Sequence, residues 1–374
     1  MLAEALLLVA AVAPADSRRA ATAAELRALV KSGEPGLAAL VRRDGRTVFE
    51  QGYGVRDLRT RAPIDGRTCF RLASVTKQLT AAAIVKLVSE GRLRYDEPLT
   101  EALPGFPAHG RDVTIRHLLT HTGGLPDYER LMDEAEARGA PAWSPERQIR
   151  DDEVLGLLGR ATEGRFAPGS RWAYSNSGYV VLGLIAARAD GRPFAEVLRR
   201  RIFAPLGMTR TLAYERGRIQ VAGRAYGHTK EANGFREADQ SSTSATLGDG
   251  GVYSCLEDLA KWDEALRTGV FFSEAEARLV LTPVRLADGS EPEWPREPGD
   301  DNLFPGRPVA YGFGWFLDPW QGRSRAWHHG ETRGFRSIVD RFTQEGISVV
   351  ILANRDDLDL LALALKLAAL QLGR

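Results

Sequence analysis

Ser74 and Lys77 stand three residues apart in ASVTKQLTAAAIVKLVSEGRL, residues 73 to 93, a stretch whose apolar spacing predicts one amphipathic helix. On a helix that spacing puts both side chains on one face, where they can touch. A serine hydroxyl is inert at neutral pH unless an adjacent base takes its proton, and an amine is a base only after losing its own. The lysine is unusual in two respects. It sits in the first helical turn, where the macrodipole disfavours a cation by about 0.3–1 kcal/mol. It is also one of only six lysines, at 31, 77, 86, 230, 261 and 366, in a chain whose other 44 basic residues are arginine. Arginine cannot be deprotonated in a protein, whereas lysine can lose its proton when buried or placed near positive charge, so Lys77 reads as chosen for titratability. The plainer alternative, Ser74 as an N-cap and Lys77 as a solvated charge, stays open on this stretch alone.

The elements that must hold this pair come from an ordinary globular chain of 374 residues, 44% hydrophobic and 26% charged. A net charge of +1 gives no reason to expect nucleic acid or an anionic membrane as partner. A small-molecule or peptide substrate is the expected partner. Residues 1–20 read as a signal or leader segment: an apolar run from Ala5 to Ala13, too short to span a bilayer, precedes small residues suited to cleavage. Export to the periplasm or medium follows, with a cytoplasmic location as the alternative, since Glu4 stands where a leader carries positive charge. Cys69 and Cys255 show no metal or redox spacing and read as buried free thiols, a disulfide being open to an exported chain.

A helix is expected over 22–32, then strands over 36–43 and 47–55 joined across Asp44-Gly45, a strong hairpin signal. CFRLA, 69–73, reads as a short strand leading into the Ser74 helix, which Gly91 can end in a left-handed cap. From 96 to 244 helical patterns dominate. Strand patterns return in VAYGFGWFLD, SRAWHHG, FRSIVDRFT and ISVVILANR, and an apolar helix, DLLALALKLAALQL, closes the chain. The fold class is α/β of the α+β type: an antiparallel sheet flanked by terminal helices, built from 21–95 and 245–374, with the all-helical region 96–244 inserted and the active site between them. The Pro-rich stretch 283–308 reads as a surface loop.

Two further motifs follow in chain order, Tyr174-Ser175-Asn176 and His328-His329-Gly330. With FRLASVTKQLTAAAIVKL, VTIRHLLTHTGGLPDY, FAPGSRWAYSNSGYVVLGLIA, GGVYSCLEDLAKW, YGFGWF and HHGETRGF, they make a sequence that resembles the serine beta-lactamase and penicillin-binding protein superfamily. The likeness is to its class C branch with the related D-stereospecific peptidases and esterases.

That resemblance implies Ser74 as nucleophile, Lys77 as its base and Tyr174 as the group relaying a proton to the leaving group. It implies that Asn176 bonds the substrate amide or orients Lys77. The backbone N–H groups of Ser74 and Glu331 would form an oxyanion hole, with Gly330 letting the strand approach the substrate. His328 stands where many beta-lactamases have lysine, to anchor a substrate carboxylate. Histidine ordinarily titrates near 6.5 and would hold such a charge only part of the time. His117 and His121, read at i and i+4 of one helix, offer with His328 and His329 a competing metal site, but Leu118 stands where the zinc-peptidase pattern needs glutamate. The reading is a serine hydrolase without metal or cofactor, working through an acyl-enzyme on a small ester, a D-amino-acid peptide or amide, or a beta-lactam. Esterase or D-Ala peptidase-like activity leads, with a class C-type beta-lactamase and a catalytically silent cell-wall peptide binder as alternatives.

Overall fold

The computed structural model describes residues 14–296 and 302–373. Most of the leader read at 1–20 lies outside the described residues, and from Ala15 the chain is already helix α1, Ala15–Arg27. The helix expected over 22–32 thus sits earlier: Ala20, Ala21, Ala23 and Ala24 favour it, while Gly33, with φ of 77°, belongs to the turn that follows. The expected hairpin forms from β1, Leu37–Arg43, and β2, Arg46–Tyr53. Asp44 and Gly45 join them with φ of 49° and 78°, both left-handed as a type I′ turn requires.

Strand β3, Phe70–Arg71, leads through a 3₁₀ turn, Ala73–Val75, into α2, Thr76–Ser89. Helix α2 is not amphipathic as expected. Eleven of its residues are buried, Lys77 among them, because sheet and helical region cover it from both sides. The helical region comprises α3, Leu99–Ala102, α4, Ile115–Leu119, α5, Tyr128–Ala137, α6, Asp151–Arg160, α7, Asn176–Asp190, and α8, Phe194–Leu198. A π turn, Arg199–Phe203, ends it. The boundary expected at 244 is therefore late. Strands β4, Leu212–Ala213, β5, His228–Glu231, and β6, Gly234–Glu237, already occupy that span. They are too short to carry an alternating signal. Strand β7, Val252–Ser254, sits between β3 and β4 in a small sheet, and that pairing sets Cys69 and Cys255 across from each other as buried free thiols.

After α9, Leu256–Thr268, and α10, Glu274–Val280, the 283–308 segment is irregular among its described residues, as expected. It is anchored by buried Trp294, whose ring lies 4.8 Å from that of Trp172 and 5.4 Å from that of Phe316. The strand expected in VAYGFGWFLD does not form. Single bridges pair Tyr311 with Phe316 and Phe316 with Trp327, and Gly314, at φ 78°, turns the chain between the first two.

The chain ends in β8, Ala326–Thr332, β9, Phe335–Phe342, β10, Ile347–Ala353, and α11, Leu360–Leu372. The main sheet is antiparallel in the order β2-β1-β10-β9-β8. Strand alternation splits its side chains between two cores. Leu37, Ala39, Val41, Val349 and Ile351 join Leu26 of α1 and Leu367 of α11, while Ala38, Leu40, Val350 and Leu352 face the core that contains α2 and α7. Helix α9 is tied to the second face by buried Asp263, which accepts from Arg42 at 2.5 Å, Arg341 at 2.8 Å and Ser348 at 2.7 Å.

Candidate active site

Ser74 lies in the 3₁₀ turn ahead of α2, half-buried, directly after Ala73 in a left-handed conformation with φ of 46°. A non-glycine residue seldom adopts that geometry, and here it turns the chain from β3 so that Ser74 stands at the helix's open end. One turn on, the fully buried Lys77 places Nζ 3.0 Å from Ser74 Oγ, 2.8 Å from Asn176 Oδ1 and 3.0 Å from the carbonyl oxygen of Asp249. Of these three partners only Ser74 carries a proton to give. For Lys77 to act as a base its amine must be neutral, with two N–H donors and one lone pair; two donors then suffice for the two carbonyl oxygens and the lone pair is left to take a proton. The N-cap alternative for Ser74 is not met: the cap of α2 is Val75, without a side-chain bond.

Asn176 opens α7, capped by Ser175, whose side chain accepts from the Gly178 N–H at 3.0 Å. Its Oδ1 is turned to Lys77, the orienting alternative. Tyr174, half-buried, presents its ring to Lys77 with Nζ 4.7 Å from the centroid. Asp249 was not singled out in the sequence. The signal for it is its setting in Gly248-Asp249-Gly250-Gly251, a tight passage in which a Cβ on Gly248 would lie 2.2 Å from Tyr179 O and one on Gly250 3.6 Å from Ala73.

The third wall is β8, the edge strand of the main sheet. A Cβ built on Gly330 would lie 2.1 Å from Leu72 O and 3.0 Å from Ser74 N, so glycine is what lets the strand reach the Ser74 turn. Trp327 donates to Phe316 O at 2.9 Å and accepts from Phe316 N at 2.8 Å, which fixes the phase of the strand. Backbone groups of an antiparallel strand alternate in direction, so the N–H groups of His329 and Glu331 share the open edge with that of Trp327 and point away from β9. The Glu331 N–H thus lies on the open edge of β8, next to the contact of Gly330 with the Ser74 turn, while the Glu331 side chain is exposed and pairs with Arg336 at 3.6 Å.

His328 departs from expectation. It is fully buried beneath the site, with Nδ1 2.6 Å from the carbonyl of His329 and Nε2 3.2 Å from the Tyr311 hydroxyl. The first contact needs a proton on Nδ1, so Nε2 accepts from Tyr311. Burial, then His329 and Lys77, hold its pKa well below the usual imidazole range. It neither meets solvent nor offers a free nitrogen to a substrate carboxylate. His329, half-exposed, is likewise pushed down to about 4, by burial first and then Lys77 and Arg336.

The shared helix face of His117 and His121 also fails. Helix α4 ends at Leu119 and His121 is left-handed with φ of 59°. His117 serves α4 itself, its Nδ1 accepting from the Thr114 N–H at 3.2 Å. Among the described residues no group of three or more His, Cys, Asp or Glu is arranged to hold a metal ion.

The beta-lactamase family model matches residues 20–373. The chain is 31% identical over 327 residues to penicillin-binding protein 4* of Bacillus subtilis (strain 168), covering 84% of this chain and 66% of that protein. It is 28% identical over 322 residues to the D-aminopeptidase of Gluconobacter oxydans (strain 621H), covering 86% of this chain and 56% of the relative. The chain thus spans just under two thirds of the first of these relatives and little more than half of the second. Among solved structures, the octameric penicillin-binding protein homologue from Pyrococcus abyssi superposes with a TM-score of 0.76 at 26% identity, over 96% of this chain and 77% of that one. With a family match running through all three walls of the site, this chain belongs to the beta-lactamase family of serine hydrolases.

Proposed function

We propose that the chain hydrolyses D-aminoacyl amides, short D-peptides or small esters through an acyl-enzyme on Ser74. The observation that carries the reading is the Lys77 amine, buried, within 3.0 Å of Ser74 Oγ and bonded to the carbonyl oxygens of Asn176 and Asp249. Lys77 takes the Ser74 proton as Oγ bonds to the substrate carbonyl carbon. The Ser74 and Glu331 N–H groups stabilise the resulting oxyanion. Tyr174 relays the proton now on Lys77 to the leaving nitrogen or oxygen as that bond breaks, its phenol regaining from Lys77 the proton it gives, and water then releases the acyl group by the same route reversed.

Substrates that need no carboxylate anchor, such as D-aminoacyl amides and small esters, are favoured over beta-lactams because the position that could hold a cationic anchor is His328, buried and already bonded. The D-aminopeptidase relatives point the same way. Side-by-side kinetics on p-nitrophenyl acetate, D-alanine p-nitroanilide, a D-Ala-D-Ala peptide and a chromogenic cephalosporin test this, with Ser74→Ala as the blank. Turnover of the cephalosporin faster than all three others overturns the substrate assignment. Labelling of Ser74→Ala by a serine-reactive phosphonate overturns the nucleophile.

For location we infer export. No helix of the described residues is long and apolar enough to cross a membrane. N-terminal sequencing of the protein from a bacterial host should find it in periplasm or medium, cut near Ala13 or Ala15, and an intact Met1 on cytosolic protein rejects this.

A further inference from the structure

We propose that His121 is a positioning residue for Tyr174, gripping the backbone on both sides of it; this rests on the role of Tyr174 given above. The Ala173 N–H donates to the His121 carbonyl at 3.0 Å, and the Ser175 N–H donates to His121 Nδ1 at 3.1 Å. Tyr174 is the residue between. It lies just outside α7, and these two bonds hold its backbone on either side. His121 is left-handed, with φ of 59°, and that conformation lets one residue offer both its carbonyl and its ring nitrogen to the same short segment. Because Nδ1 accepts, the ring proton is on Nε2, which is buried without a hydrogen-bond partner. The ring lies 4.4 Å from that of Tyr174, 4.6 Å from Tyr311 and 5.1 Å from Tyr179. Burial, with Lys77 and His328 nearby, keeps this imidazole neutral and its Nδ1 able to accept.

A histidine that merely fills space and one that places a proton donor are separated by the leaving group. The nitrogen of D-alanine p-nitroanilide must be protonated to depart, whereas p-nitrophenolate leaves p-nitrophenyl acetate without a proton. His121→Phe keeps a ring and loses the acceptor. It should lower kcat on the anilide about 100-fold, the scale of a misplaced general acid, and on the ester less than about 5-fold. His121→Asn restores an acceptor near the Nδ1 position, tolerates the left-handed backbone, and should recover most of the anilide rate. Tyr174→Phe is the reference. Equal losses on both substrates in His121→Phe, or a His121→Asn variant as selective a loser as His121→Phe, refute the grip. If Tyr174→Phe changes the anilide-to-ester ratio and His121→Phe does not, the grip alone fails. If Tyr174→Phe leaves the ratio unchanged, the assigned role of Tyr174 fails and the grip falls with it.

Discussion

Replacing Gly330 by alanine tests the two backbone donors with one methyl group. The added Cβ would stand 2.1 Å from Leu72 O, 2.5 Å from Ser337 Oγ and 3.0 Å from Ser74 N. The Ser337 side chain could rotate, at the loss of its 2.6 Å bond to Leu72 O, but the carbonyl of Leu72 is backbone and cannot. Relieving that contact to 3.0 Å needs a separation of about 0.9 Å between β8 and the Ser74 turn. Oxyanion donors act at about 2.7–3.1 Å, so this shift removes one of the pair, a loss of about 10²–10³ in kcat. Overpacking should also destabilise the fold by about 1–3 kcal/mol. Steady-state turnover of p-nitrophenyl acetate well below the melting temperature measures the first effect and thermal unfolding the second. A Gly330→Ala enzyme within about threefold of the wild-type kcat refutes the oxyanion assignment. Adding Ser337→Ala should not restore activity, because the closer clash remains.

Lys77→Arg should be nearly as inactive as Lys77→Ala, each down by about 10³-fold, since guanidinium keeps the charge and cannot serve as base; substantial turnover by the arginine enzyme on an aryl ester would show that charge suffices. The kcat/KM ratio of a D-Ala-D-Ala peptide over an uncharged ester should show no imidazole titration from about pH 6.5 to 8.5, because His328 is buried, bonded through both ring nitrogens and shifted well below the usual imidazole range. A titration in that ratio that vanishes in His328→Asn would refute its exclusion from recognition. Acid should destabilise the fold: His121, His328 and His329 have folded pKa values below their unfolded 6.5, so from about pH 6.5 towards 4 the unfolded chain binds more protons and stability falls with pH. Each such proton contributes about 1.4 kcal/mol per pH unit, opposed by carboxyls that burial pushes up, Asp151, Glu50 and Asp340. A melting temperature unchanged between pH 6.5 and 5 contradicts that balance.

The Ser74–Lys77 contact was legible because the 3₁₀ turn of Ser74 runs directly into α2, so that local helical spacing was enough. The hairpin at Asp44-Gly45 was legible for the same reason. Lys77 burial and the Asp249 carbonyl were not, since they depend on what packs around α2 from segments far along the chain. His328 shows the limit of reading by motif position: its type could be read, but its hydrogen bonds to Tyr311 and to the neighbouring carbonyl are set by three-dimensional packing. His121 misled through its spacing from His117, because nothing local announced that α4 would stop after Leu119 and the next residues turn left-handed.

The main sheet is stitched from segments far apart in sequence. Leu37 of β1 pairs with Ala353 of β10, and Gly36 donates to Asn354 Oδ1 across a separation of 318 residues. During synthesis the β1–β2 hairpin therefore waits, with the β1 edge unpaired, until β10 has been made. No product that stops short of β8 can assemble the candidate site, because its walls come from residues 73–77, 174–176, 249 and 328–331. Such a fold is slow to form and rich in long-range closure, and the activity proposed for it would report on the joining of β1 to β10 rather than on any one segment.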